Sequence, residues 1–90
     1  MLVRNETIYR VYVFLPDSEL AALTPPDKYW GNVALNAISN AGWRSALRRE
    51  YRVKDMEGNE GIEIPFEVGT ADEHDRLLTW LKTDPFKPAK

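Results

Sequence analysis

Thr7-Ile8-Tyr9-Arg10-Val11-Tyr12-Val13-Phe14-Leu15 is the densest block of β-branched and aromatic residues in the chain and has the length of one strand. Side chains alternate across a strand, so Tyr9, Val11, Val13 and Leu15 make one apolar face. Ile8, Arg10, Tyr12 and Phe14 make a second, apolar apart from one guanidinium. A strand with two such faces belongs in the middle of a sheet, and both faces need cover. The rest of the chain offers amphipathic helices for one of them. The other, carried by Ile8, Arg10, Tyr12 and Phe14, is expected to stay open.

Working outward, Pro16-Asp17-Ser18 stops the strand, and Ser18 to Leu23 has the makings of one helical turn capped by Asp17 or Ser18. Thr24-Pro25-Pro26-Asp27 has the capping residue, the N1 proline and the capping-box acid of a helix start. The stripe Trp30, Val33, Ala34, Ala37, Ile38 and Ala41 follows at helical spacing, and Gly42 is placed as a left-handed cap with Trp43 packing back on the last turn. From Trp43 to Lys54 the period becomes two. Trp43, Leu47, Tyr51 and Val53 then share one face, and Arg44, Arg48, Glu50, Arg52 and Lys54 share the other. Asp55 to Gly61 is a turn cluster. Ile62, Ile64, Phe66 and Val68 alternate with Glu63, Pro65 and Glu67 as the returning strand of a hairpin, which sets the arginine row beside Glu63 and Glu67. Thr70 and Glu73 have capping-box spacing before a helix with the core stripe His74, Leu77, Leu78 and Leu81, flanked by Trp80; Pro85 ends it.

The order is β-α-β-β-α. This predicts a single α+β domain over residues 1–90 in a ferredoxin-like split pattern: a three-stranded, largely antiparallel sheet, two helices on one face, the fourth strand missing or weak, and residues 84–90 as a proline-rich tail. Pro65 resists the pattern, because the strand that carries it should lie between two others and proline cannot donate to a ladder. An arrangement with that strand outermost is the alternative.

Ninety residues allow one core, and 43% apolar with 29% charged residues is ordinary for a globular chain, so disorder and fibrous repeats are disfavoured. Without cysteine there is no disulfide, thiolate nucleophile or cysteine-based metal site, and with neither a leader pattern nor a long apolar run a cytoplasmic location is expected. A formal charge of −2 gives no global attraction to phosphate.

No catalytic constellation stands out. His74 has acids beside it in sequence but no nucleophile at a recognisable spacing, so a packing role is expected of it; the enzymatic alternative is a dimeric α+β protein with a cleft between helices and sheet that uses His74 or Tyr9. One histidine with scattered acids matches no metal motif, and the 55–61 turn has neither calcium-loop nor phosphate-loop spacing, so neither metal nor cofactor is expected. Arg44, Arg48, Arg52 and Lys54, with Tyr12 as a stacking platform, are candidates for binding RNA or DNA. Val11-Tyr12-Val13 resembles the first-strand motif of RNA-recognition domains, with Tyr12 in the stacking position. The second motif of that family would fall over Glu60 to Phe66, where Ile62 replaces the first aromatic and Glu63 lies within the stretch, and the chain is not assigned to the family. The reading favoured by the residues is a non-enzymatic protein-binding or regulatory module, with an accessory protein or inhibitor of the kind bacteriophages carry as the expected class. It would bind a partner or a second copy through Ile8, Arg10, Tyr12 and Phe14. The alternative for that open face is that the first residues or the Phe86 tail fold over it.

Overall fold

The computed structural model describes residues 1–7, 9–23 and 30–86, without the side chains of 22, 23 and 30–33. Ile8, the helix start at Thr24 to Asp27, and the tail beyond Phe86 therefore lie outside the described residues. Within them the chain runs β1 (Leu2–Thr7), β2 (Arg10–Pro16), α1 (Asp17–Leu23), α2 (Trp30–Asn40), β3 (Tyr51–Lys54), β4 (Glu60–Glu67) and α3 (Ala71–Leu81). The strands form one antiparallel sheet in the order β1-β2-β4-β3.

β2, the strand that takes up most of the 7–15 block, lies inside the sheet between β1 and β4. Val11, Val13 and Leu15 of β2 lie opposite Phe66, Ile64 and Ile62 of β4, and all six are buried. They form one cluster with Leu20 of α1, Ala34 and Ile38 of α2, and Leu77 and Leu81 of α3, so the helices cover this single face. The sheet has four strands: the fourth, expected to be missing or weak, is present and comes from the start of the chain. β1 pairs with β2 along Leu2↔Phe14, Val3↔Val13, Arg4↔Tyr12 and Asn5↔Val11, with a bulge before Thr7↔Arg10. It escapes a reading by alternation because all six of its residues are exposed, so no buried face imposes a period.

Pro65 does lie in an interior strand, and the hydrogen bonds show why this is tolerated. In an extended strand a residue's N–H and C=O point the same way. The Pro65 carbonyl accepts from Arg48 N–H at 2.9 Å, so its nitrogen faces β3, while Val68 N–H donating to Tyr9 O at 2.9 Å shows that the alternate residues face β2. The missing donor thus points at the stretch where the neighbouring chain has left the ladder. Leu47 bridges Phe66, but regular pairing resumes only at Tyr51↔Glu63, with the register slipped by one residue between them.

That slip also corrects the reading of residues 43–54 as one strand. Arg44–Ala46 is a 3₁₀ turn, and only Tyr51–Lys54 is strand. Leu47 consequently lies on the helix side opposite Phe66, whereas Tyr51 and Val53 lie on the far side opposite Glu63 and Gly61.

The helix ends follow the sequence. After α2, Gly42 has φ +84, and Trp43 N–H reaches Ile38 O at 3.0 Å while Gly42 N–H reaches Ser39 O at 3.0 Å, a Schellman closure. Thr70 caps α3, its hydroxyl accepting from Glu73 N–H at 3.1 Å. Thr70→Ala is expected to cost about 1 kcal/mol in a urea melt. Past α3 the chain docks rather than trailing loose as far as Phe86, which is buried with its ring edge-on to Trp80 at 5.8 Å. Trp80 also meets Phe66 at 6.5 Å and Trp43 at 6.3 Å, an aromatic seam on the helix side.

The open sheet face as candidate functional site

The even residues of β2 lie on the face away from the helices, together with the odd residues of β4 and β3 and with Leu2 and Arg4 of β1. Neither end of the described chain folds over this face as a lid. Phe86 joins the helix-side core, and the first residues add a strand instead. What the first residues do supply is side chains: Leu2 stands opposite Phe14 and Arg4 opposite Tyr12.

Of the candidate partner-binding residues, Phe14 is buried, at 8% exposure. Its ring lies along Gly61, where the missing side chain leaves room for it. Tyr12 is half-buried beneath Arg4, whose guanidinium sits 4.5 Å from the ring centroid. The same guanidinium donates to Glu63 Oε1 at 2.7 Å, and the Tyr51 hydroxyl donates to that oxygen at 3.1 Å. Glu63 is thereby held under Arg4 and Tyr51 with 15% of its side chain exposed. Partial desolvation first, then the hydrogen bond to this carboxylate, push the Tyr51 phenol above its ordinary value. Arg10 donates to the Tyr12 hydroxyl at 3.5 Å and to Glu67 at 3.4 Å, and these contacts, Tyr12 first, favour its charged form.

The arginines proposed for nucleic acid do not form a row. Arg48 lies 3.6 Å from Glu67, while Arg52 reaches back to Asp17 of α1 at 2.7 Å and approaches Glu60 at 3.9 Å. Arg44 is in the 3₁₀ turn and Lys54 at the end of β3. The carboxylates beside Arg48 and Arg52 offset the positive field that phosphate binding needs.

Beside the Arg4–Tyr12–Glu63 group lies a shallow hollow of about 390 Å³, with Phe14 and Val53 in its lining and Leu2 and Met56 at its rim. Met56 is fully exposed and Leu2 is 61% exposed. In the sequence Met56 stands inside a turn cluster, with no apolar period to single it out. Its closeness to this face depends on the hairpin turning over at Asp55 to Asn59, where the Asp55 carboxylate accepts from Glu57 N–H at 3.0 Å and Asn59 N–H at 2.8 Å. Those backbone donors, Asn59 foremost, hold the carboxyl below its ordinary value. A wider hollow of about 520 Å³ between the start of α1 and this turn has a largely polar and charged lining that includes Asp17, Lys54 and Glu60.

His74 stands where α3 meets the edge of the sheet, and its contacts there are polar. Its Nε2 is 2.9 Å from Asn5 Oδ1 on β1, which ties α3 to the edge of the sheet, and its Nδ1 is 3.6 Å from Asp75. Among the described residues no group of three or more His, Asp or Glu is placed to hold a metal ion, and no helix is long and apolar enough to cross a membrane. No family model, curated protein or solved structure matches the chain.

Proposed function

We propose that this chain is a non-enzymatic protein-binding or regulatory module that acts in the cytoplasm as an accessory protein or inhibitor, taking an apolar side chain of its partner into the hollow on the open sheet face. The observation that carries this reading is the pair of exposed apolar residues, Leu2 and Met56, flanking a hollow backed by Phe14. Water-exposed apolar side chains gathered at one place are characteristic of interfaces, and methionine adapts its shape to what it meets. Arg4, Glu63, Lys54 and Asp55 around them supply the polar rim. The sheet order supports a ferredoxin-like split arrangement in which the strand beside β2 comes from the start of the chain instead of its end.

Met56→Lys and Leu2→Lys are expected to weaken capture of the partner from host lysate by tenfold or more, while circular dichroism and the melting temperature stay those of the wild type, because exposed positions contribute little to folding. Undiminished capture by both variants would overturn the proposal. Salt-sensitive retention of single-stranded oligonucleotides by the wild type, lost in Arg48→Ala, would replace it with the nucleic-acid reading.

A further inference from the structure

The outer edge of β1 is a second surface, separate from the open face. Residues of β2 alternate in the direction of their backbone groups, and Tyr9, just before β2, accepts from Val68 N–H, just after β4. Tyr12 and Phe14 therefore bond to β1, and their opposite numbers Arg4 and Leu2 bond back. This leaves the N–H and C=O of Val3 and Asn5 directed away from the sheet, and no described segment pairs with them. The strand carries neither proline nor lysine to blunt it, its one bulge lies between Asn5 and Thr7, and all six of its residues are exposed.

We infer that β1 pairs antiparallel with β1 of a second copy, centred on Asn5, so that two four-stranded sheets join into one. Self-complementary charge selects the occupant and the register. With Asn5 facing Asn5, the outward N–H and C=O of each exchange bonds with the other, and Arg4 of each copy comes level with Glu6 of its mate, the residue at which β1 bulges. With Arg4 at the centre, like charges would face each other instead. Glu6 is exposed and has no ion-pair partner among the described residues, so it is available for this contact. Arg4 has five N–H donors and can serve Glu6 of the mate while keeping Glu63. His74, bonded to the Asn5 side chain at 2.9 Å, fixes the centre of the strand in place. The inference does not depend on what occupies the open face.

Light scattering on the size-fractionated wild type, from micromolar to millimolar concentration, is expected to show the mass rising to twice that of the chain. The Val3 nitrogen points outward, so Val3→Pro removes no bond from the β1–β2 ladder, and it is expected to give a monomer with an unchanged circular dichroism spectrum. Glu6→Arg turns two attractions into two repulsions, and it should weaken the dimer by about tenfold whether or not the proline variant folds. A wild type that stays monomeric throughout would overturn the inference, as would a dimer indifferent to both changes. A dimer that ignores both but is dissolved by Met56→Lys would move self-association to the open face.

Discussion

Replacing Gly61 by alanine is expected to lower the unfolding free energy by about 3 kcal/mol, a large share of what a domain of this size possesses. Gly61 is buried between Pro16 of β2 and Val53 of β3. A methyl group there would sit against the Leu15 carbonyl oxygen, 2.8 Å from Pro16 Cα and 2.7 Å from Phe14 Cε2. Two of these three neighbours are backbone and cannot rotate aside, so the end of the β2–β4 ladder would have to open where β2 passes into α1. Phe14, displaced from its seat, would lose its burial as well. Urea denaturation should show the midpoint falling with the slope unchanged. Gly69→Ala is the control: its added methyl would meet only the Glu73 carboxylate, at 3.8 Å, and stability should change by less than about 0.5 kcal/mol. If both variants behaved like the control, the close approach of β2 and β4 at this point would be wrong.

The second large effect is expected at Phe66. Its side chain is wholly buried, faces Val11 across the β2–β4 ladder, bridges to Leu47 and presents its ring to Trp80 at 6.5 Å. Truncation to alanine removes the contact that ties the sheet to the aromatic seam of α3, at a cost of about 4 kcal/mol. Calorimetry would read this as a melting transition lowered by tens of degrees. Tryptophan fluorescence adds a local signature, since Trp80 loses a neighbour on the sheet side while keeping Phe86 at 5.8 Å. Phe66→Leu, which retains most of the volume, should lose much less and keep the native emission. Small losses in both variants would place Phe66 outside any well-packed core.

Much of this architecture can be read from residue order, and the exceptions have physical causes. β2, β4 and α3 each bury one side against the core, which imposes a period on the apolar residues; Val11, Val13 and Leu15, then Ile62, Ile64 and Phe66, then Leu77 and Leu81, keep to it. Gly42 and Thr70 announce helix ends through backbone chemistry that is local to them. β1 is invisible by the same logic, because an edge strand exposed along its length has no inside to record. Residues 43–54 mislead in the opposite way. The alternation is present in the letters, but the turn at Arg44–Ala46 and the slip after Leu47 reverse which side each residue takes, so Arg52 bonds Asp17 beside α1 instead of standing in a row with Arg48. At the open face, alternation assigns Tyr12 and Phe14 to the right side of the sheet. Their exposure is another matter, since it depends on Arg4 and on the empty place at Gly61, contacts separated from β2 by the fold and not by any local pattern.

The donor-free nitrogen of Pro65 and the departure of the chain after Leu47 make the two rims of the sheet unequal. On one side the outermost strand is only Tyr51–Lys54; on the other it is Leu2–Thr7. Growth by strand addition is therefore one-sided. Two molecules meeting along their longer rims would leave only short, interrupted rims facing outward, and such a pair would close on itself instead of propagating into a filament.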